Sequence, residues 1–334
     1  MKKVLIAALT VISLSCAHAQ AETVTPKKKP VASKKVTSQK TASARSATKV
    51  STRKASIKQA RATSSQRDHV VGRNAAMAAS GALGLYSSAV IVQDQATGSI
   101  LYEKNAGAIV PIASITKLMT AMVTLDAQPN LYERMVISED DVDTLKGTRS
   151  RLKVGTELTR EEMLRLALMS SENRASSALS RYYPGGRSAF IAAMNRKAQM
   201  LGLSDTRFED STGLTSANVS SARDLVKMVS AAHQYPLIRE FSTTPDYDVI
   251  VDGRVQSFHN TNSLVKSASW DIGLSKTGFI NEAGKCLVMQ TWLNQKPMII
   301  VLLDSWGKMT RIGDANRIKK WVEHYAQSAK PNTI

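Results

Sequence analysis

Histidine is scarce in this chain, and its placement excludes several kinds of enzyme. Five histidines occur in 334 residues, and none belongs to a His-Glu-x-x-His pair or to another metal-ligand spacing. The sequence also lacks Cys-x-x-Cys, the Gly-x-Ser-x-Gly turn of histidine-assisted hydrolases, and glycine-rich loops that bind phosphates or dinucleotides. These absences disfavour zinc peptidases, histidine-dependent serine hydrolases and nucleotide enzymes, and no metal site is predicted.

Cysteine and aromatic residues are also rare. The chain has two cysteines, Cys16 and Cys286, and only the second lies outside an N-terminal segment that we expect to be removed. A lone cysteine forms no internal disulfide, even in an oxidising compartment. We therefore expect Cys286 to be a small buried side chain in a strand. Because aromatic residues make up only 5% of the chain, the core should consist of aliphatic side chains and methionine.

Long hydrophobic runs are missing as well, since the apolar stretch from Val4 to Leu14 is too short to span a bilayer. This stretch follows Lys2 and Lys3 and precedes Ala17-His-Ala19, which has the small-x-small form of a signal-peptidase site. We predict a signal peptide over residues 1–19, so that the protein is exported. A lipoprotein cleaved before Cys16 is a weaker alternative, because the usual leucine three positions earlier is absent.

The basic charge of the chain is concentrated in one segment. Residues 20–73 contain 14 lysines and arginines against two acids, whereas residues 74–334 carry only +4 of the total +18. This segment is rich in Ala, Ser, Thr and Lys and lacks periodicity, so it is predicted to be a disordered linker. It would act either as a solvated spacer or as an electrostatic tether to anionic envelope polymers or a membrane surface. Export makes nucleic acid an unsuitable partner.

Residues 74–334 show the pattern of an α+β domain. Strands are predicted near both ends of this region, and helices mainly lie between them, which differs from alternating βαβ units. Thr159 with Glu162 forms a capping-box signature, and Ser221 with Asp224 marks another helix start. The predicted strands are 88–94, 99–103, 247–251, 254–258, 272–277, 287–293 and 298–303, and the predicted helices follow Pro111 and cover 163–169, 187–201, 222–233 and 311–327. We expect an antiparallel sheet with an inserted helical lobe and a cleft between them.

One serine and one lysine are spaced for nucleophilic catalysis. Ser114 and Lys117 lie three residues apart at the start of a predicted helix, so both side chains lie on one face. Serine is a weak nucleophile unless a base takes its proton. Lysine becomes such a base only when burial or a nearby cation lowers its pKa. The same spacing occurs at several other places in this chain, so the pair alone is a weak signal.

The order of three motifs makes the signal specific. Ser171-Glu-Asn173 and Lys276-Thr-Gly278 follow the Ser114-x-x-Lys117 pair, and this set resembles that of serine β-lactamases and penicillin-binding proteins. Ser216-Ala-Asn218 has the form of the second motif but lies in a predicted loop. The stretches around the motifs, Phe208-Glu-Asp-Ser-Thr-Gly-Leu214 and Lys276-Thr-Gly-Phe279 among them, resemble the low-molecular-weight D-alanyl-D-alanine peptidases. The resemblance is strongest to their endopeptidase branch, in peptidase family S11.

The resemblance implies a β-lactamase/DD-peptidase-like fold, with a five-stranded antiparallel sheet flanked by helices. It implies that Ser114 attacks the carbonyl of the penultimate D-alanine, that Lys117 accepts the serine proton, and that Ser171 relays a proton towards the leaving amine. Asn173 would align the substrate, and Lys276 would supply positive charge.

At the strand edge, the resemblance implies that Thr277 and Gly278 contact the substrate. The backbone N–H groups of Ser114 and Phe279 would form the oxyanion hole. The implied partners are peptidoglycan stem peptides, with β-lactams as covalent inhibitors, and no cofactor is implied. The implied location of the exported protein is the periplasm.

Three other functions compete with a D-Ala–diaminopimelate endopeptidase. A β-lactamase would use a later glutamate to activate water, and Glu209 lies at a suitable distance in sequence, although within a peptidase-like segment. A carboxypeptidase would release only terminal D-alanine. Such enzymes often add a C-terminal β domain, but only 58 residues follow Lys276, and many carry histidine at the Phe279 position. A non-catalytic scaffold would work through the basic linker alone.

Overall fold

The computed structural model describes residues 83–251, 253–307 and 310–328. The predicted signal peptide, the linker and residues 74–82 lie outside the described residues. The strands are β1 (Ser87–Asp94), β2 (Ile100–Lys104), β3 (Val110–Pro111), β4 (Arg134–Val136), β5 (Glu157–Thr159), β6 (Val219–Ser220), β7 (Asp246–Val251), β8 (Arg254–His259), β9 (Asp271–Ile280), β10 (Gly284–Leu293) and β11 (Lys296–Ser305). The helices are α1 (Thr116–Asp126), α2 (Arg160–Met169), α3 (Asn173–Arg181), α4 (Gly186–Met200), α5 (Ala222–Ala232), α6 (Pro236–Thr243) and α7 (Thr310–Ser328).

A five-stranded sheet in the order β2-β1-β11-β10-β9 forms the framework. All its neighbouring strands are antiparallel, and they come from both ends of the described region. Residues of β1 alternate between two hydrophobic clusters, with Ala89 and Ile91 in one and Val90 and Val92 in the other. The sheet is therefore covered on both faces, and β9 is left as an edge strand that a substrate can approach.

Helices cover the two faces unequally. The closing helix α7 packs on one face through Ala315, Ile318 and Val322, which belong to the same cluster as Val90. The other cluster contains the buried faces of helices α1 to α6. The predicted α+β fold, with an antiparallel five-stranded sheet and an inserted helical lobe, is confirmed.

The signals for helix starts are realised in the structure. Thr159 and Glu162 form the reciprocal capping box of α2, and the Ser221 side chain accepts a hydrogen bond from the Asp224 N–H at the start of α5. Cys286 is fully buried in β10, as predicted, and burial raises the pKa of its thiol to about 12. None of the helices within the described ranges combines the length and apolar character required to cross a membrane.

Two helices, α3 and α6, and the short strands β3 to β6 were not predicted. The buried residues of α3 are mostly alanine and serine, so its sequence shows no clear apolar stripe. Helix α6 has only eight residues and starts at a proline. A segment this short with a proline at its start is difficult to distinguish from a loop in the sequence. Tertiary packing decides such short elements more than local pattern does.

Candidate active site

The backbone around Ser114 is held in an unusual conformation by close packing. Ala113 has a φ of +48°, in the left-handed region, and Ser114 follows it in a short 3-10 turn that leads into α1. Gly213 packs so tightly here that a Cβ on it would lie 2.0 Å from the Ala113 carbonyl oxygen. The geometry of this turn therefore depends on the glycine of the Asp-Ser-Thr-Gly segment. Strain of this kind is typical of functional sites.

The amine of Lys117 lies against the hydroxyl of Ser114. Its Nζ is 2.8 Å from Ser114 Oγ, 2.8 Å from Asn173 Oδ1 and 2.7 Å from the Thr212 carbonyl oxygen. A neutral amine has two N–H bonds and one lone pair. Because Asn173 and Thr212 offer only acceptors to the amine, they can take the two N–H groups, which leaves the lone pair facing the serine hydroxyl. This arrangement is the one that a general base requires.

The surroundings of Lys117 favour its neutral form. The side chain is completely buried, and burial lowers the pKa of Lys117 to about 7, although the negative charges of Asp210 and Glu172 oppose this shift. Near neutral pH a substantial fraction of the amine is therefore unprotonated, whereas an exposed lysine is almost wholly protonated.

Lys276 reaches the same cavity from β9. Its Nζ lies 2.9 Å from Ser171 Oγ and 2.9 Å from the Thr277 carbonyl oxygen. Burial lowers the pKa of Lys276 well below its ordinary value, and the positive charges of Lys117 and Arg311 lower it further. A positive charge on Lys117 or on Arg311 therefore disfavours a further positive charge on Lys276.

The Ser-x-Asn motif forms the wall opposite β9. Ser171 has a φ of +63°, between helices α2 and α3. Asn173 accepts a hydrogen bond from Lys117 and donates one to Thr148 Oγ1 at 3.1 Å. Glu172 points away towards Ser150, whose hydroxyl donates to its Oε2 at 2.7 Å. Glu172 is therefore a neighbouring charge rather than a group facing the serine.

The Lys-Thr-Gly strand runs directly beside the serine. A Cβ on Gly278 would lie 2.8 Å from the Ile112 carbonyl oxygen and 3.2 Å from the Ser114 nitrogen, so only glycine permits this approach. Thr277 Oγ1 donates to Thr261 Oγ1 at 2.6 Å. The Phe279 side chain is 56% exposed at the rim of the cleft. The predicted site residues are thus brought together on two facing walls.

Several residues at the site were not predicted from the sequence. Arg311, at the start of α7, donates hydrogen bonds to the carbonyl oxygens of Gly278 and Cys286 at 2.9 and 3.3 Å, and its charge acts on Lys276. Asp210 accepts hydrogen bonds from the backbone of the loop that presents Thr212 to Lys117. Their contacts join segments far apart in sequence, which local spacing does not reveal.

Two residues that the sequence offered as alternative site residues, Asn218 and Glu209, contact other groups. Asn218, of the Ser216-Ala-Asn218 triplet, is fully buried and binds Thr116 and Asp210, so it braces the loop. Glu209 forms an ion pair with Arg207, and its charge is not among those that act on Lys117. In the part of the chain that is described, no three histidine, cysteine or acidic side chains are grouped so as to hold a metal ion.

Comparison with known proteins identifies the family. The family model for D-alanyl-D-alanine carboxypeptidases, peptidase S11, matches residues 75–307. The chain belongs to this family. Within it, the chain is 48% identical over 249 residues to a D-alanyl-D-alanine endopeptidase of Pseudomonas aeruginosa, covering 74% of this chain and 80% of that protein. A protein with the same name in Escherichia coli K12 is 46% identical over 239 residues, covering 71% and 77%.

A solved structure of a DD-transpeptidase has a similar fold. The Streptomyces K15 DD-transpeptidase is 30% identical, with a TM-score of 0.66, and the match covers 71% of this chain and 97% of that one. The predicted family is therefore confirmed, and the protein is a serine-type D-Ala-D-Ala hydrolase of the penicillin-binding class. Its substrates are peptidoglycan peptides, and β-lactams bind it.

Proposed function

We propose that this S11 enzyme is an endopeptidase that cleaves D-Ala–diaminopimelate cross-links between peptidoglycan stem peptides through an acyl-enzyme on Ser114. The proposal depends mainly on the position and protonation of the Lys117 amine. It is buried, its pKa is lowered to about 7, and its lone pair can face the Ser114 hydroxyl 2.8 Å away. That arrangement supplies an activated serine without histidine.

In the proposed acylation, Ser114 Oγ bonds to the carbonyl carbon of the penultimate D-alanine while its proton passes to Lys117 Nζ. The N–H groups of Ser114 and Phe279 stabilise the oxyanion, an interaction worth ~3 kcal/mol in comparable enzymes. The C–N bond then breaks. Ser171 relays to the leaving amine a proton from Lys276 Nζ, which lies 2.9 Å from its Oγ. Water then adds to the ester carbonyl carbon, and the bond to Ser114 Oγ breaks as this oxygen regains the proton held by Lys117. The carboxylic acid product returns its proton to Lys276.

We assign substrate alignment to the two walls of the cleft, the Ser-x-Asn motif and strand β9. Asn173 orients the acyl-donor peptide, while Thr277 and Gly278 contact the substrate along the free edge of β9. Lys276 and Arg311 place positive potential where the carboxylate beside the scissile bond would lie. Arg311 supports this assignment because its guanidinium group binds only backbone carbonyls among its described contacts.

The preference for cross-links is supported by the relatives named endopeptidase, which are 48% and 46% identical to this chain. D-alanyl-D-alanine carboxypeptidase activity is the second candidate, because a relative of that name in Streptomyces K15 is 33% identical over 242 residues. The lower identity makes it the weaker proposal.

The location and the linker complete the proposal. Residues 1–19 direct export and are cleaved, so the enzyme acts in the periplasm. The basic segment 20–73 contacts anionic envelope polymers electrostatically. Removal of residues 20–73 from the mature protein should weaken its sedimentation with cell-wall sacculi at low salt, without reducing penicillin acylation.

The deciding experiment incubates the purified protein with cross-linked muropeptide dimers, with and without penicillin, and identifies the products by mass. Penicillin-sensitive conversion of dimers into monomers is expected. Release of D-alanine from intact dimers would instead establish the carboxypeptidase, and rapid turnover of nitrocefin would indicate a β-lactamase. The Ser114→Ala variant should lose labelling by fluorescent penicillin.

A further inference from the structure

A second concave surface lies beside the cleft and is lined mainly by cationic and polar groups. It is an open cavity of about 460 Å³ between the loop after Arg149 and the β7–β8 hairpin. The described residues that line it are Arg151, Lys153, Val251, Arg254, Val255 and Gln256. Three of these six side chains are cationic and none is acidic, so the cavity suits an anionic ligand.

The three cations are available to such a ligand. Arg151, Lys153 and Arg254 are all exposed. None of them forms an ion pair with a carboxylate of the described residues. Arg151 is nevertheless held in place, since it donates to the Ser257 carbonyl oxygen at 2.7 Å and its guanidinium group lies 4.0 Å from the centre of the Phe258 ring. Arg151 is thus pre-positioned at the cavity, and the Lys153 and Arg254 side chains are exposed beside it.

One wall of the cavity is tied to the Ser-x-Asn motif. Ser150 donates to the carboxylate of Glu172, and Arg174 donates to the Leu152 carbonyl oxygen at 2.9 Å. These contacts flank Arg151 in sequence and fix its loop beside Ser171. Ser171 is the residue assigned to the leaving amine, so the cavity lies towards the leaving-group side of the cleft.

The other wall is tied to the Lys-Thr-Gly strand. Strand β8 ends at His259, and Thr261 two residues later accepts the hydrogen bond of Thr277. Ser257, which contacts Arg151, lies four positions before Thr261. In extended chain this separation is at most ~13 Å. A leaving group of several residues that passes Thr277 can therefore extend to the cavity.

The leaving groups of the two candidate reactions differ in length. A carboxypeptidase releases one D-alanine, which extends ~3.5 Å. An endopeptidase releases a whole stem peptide joined through diaminopimelate. That acceptor peptide extends over several residues and carries free carboxylates on its glutamate and diaminopimelate residues.

We propose that Arg151, Lys153 and Arg254 form a subsite for the carboxylates of the acceptor stem peptide. This assignment rests on the proposed endopeptidase function. It explains how the enzyme would prefer cross-linked peptides to terminal D-alanine. The cations attract the second peptide of a cross-link, while β-lactams and terminal D-alanine stay in the main cleft. The subsite thus selects between substrates without taking part in bond cleavage.

The test compares Lys153→Gln/Arg254→Gln with a control of equal charge, Arg196→Gln/Lys296→Gln, whose side chains are also exposed and without described ion pairs. Arg151 is left intact because it packs on Phe258. For each protein, kcat/KM for cross-linked dimers is divided by the rate constant of acylation by penicillin. Loss of two exposed charge interactions should lower this ratio about threefold to tenfold through KM, and only in the cavity variant.

A second experiment removes a charge from the substrate instead of from the enzyme. Dimers whose acceptor glutamate carboxyl group is amidated should be cleaved less well by the wild type, whereas the cavity variant should discriminate less between amidated and free dimers. Equal ratios in the cavity variant, the control and the wild type would overturn the subsite while leaving the endopeptidase intact. A wild type that releases D-alanine but leaves dimers uncut would overturn both proposals.

Discussion

The rate of acylation should follow the protonation of the buried Lys117 amine. With the pKa of Lys117 at about 7, the neutral fraction of its amine rises from roughly 1% at pH 5 to roughly 90% at pH 8. The second-order rate constant for acylation by fluorescent penicillin should therefore increase close to a hundredfold over this interval. A lysine with its ordinary pKa of 10.5 would be only about 0.03% neutral at pH 7.

Removal of a negative charge near the amine should move this profile in a defined direction. The Glu172 carboxylate raises the pKa of Lys117, so Glu172→Gln should lower that pKa and shift the acid limb to lower pH. The substitution keeps an oxygen that can accept the hydrogen bond of Ser150. A shift of about half a unit to one unit corresponds to ~0.7–1.4 kcal/mol and should raise the rate at pH 5.5 several-fold.

A matched control separates this local effect from a change in net charge. Glu157→Gln removes the same charge from an exposed position on β5, and Glu157 is not among the groups that act on Lys117. Its profile should coincide with that of the wild type. A rate that does not change between pH 5 and pH 8, or a limb centred near pH 10, would refute the role of Lys117 as base. An unshifted limb in Glu172→Gln would refute the electrostatic reasoning.

Three further predictions test the packing around the site. Gly278→Ala should slow penicillin acylation about 10- to 100-fold, because its Cβ would lie 2.8 Å from the Ile112 carbonyl oxygen and force the strand away from Ser114; a wild-type rate would contradict this. Arg311→Leu should raise the pKa of Lys276, since a nearby cation is lost. Because the proposed mechanism needs positive charge on Lys276, acylation should slow at high pH as that amine loses its proton, and in Arg311→Leu this decline should move to higher pH; an unmoved decline would argue against the effect of Arg311. The Cys286 thiol should not react with an aromatic disulfide reagent at pH 8 until the protein unfolds in denaturant, because it is buried with a pKa of about 12; fast reaction in buffer would disprove it.

Local patterns were sufficient for most of the framework. Runs rich in β-branched and aliphatic residues predicted the long strands, and side-chain caps such as Thr159 with Glu162 marked helix starts that the structure contains. These features depend on neighbours three or four residues away, so they are visible in the sequence. Helix α3 was missed because its buried face consists of small residues that give no hydrophobic signal.

The contacts of the active site likewise fall into those that the sequence predicted and those that only the structure revealed. The spacing of Ser114 and Lys117 could be read directly, because a helical turn brings them together wherever the helix lies. The acceptors that orient the amine, Asn173 and the Thr212 carbonyl group, come from segments 56 and 95 residues away. The position of Arg311 behind Gly278 likewise depends on how the last helix packs on the sheet.

The sequence by itself determined which groups can react, in what order they occur, and which strands and helices carry them, since these properties depend on residue type and short-range spacing. Only the tertiary structure decided the charge state of Lys117, the distance between the two walls of the cleft, and the meeting of Arg151 with the β7–β8 hairpin. The physical reason is that burial and electrostatic coupling arise from long-range contacts, which form only when the whole core is packed.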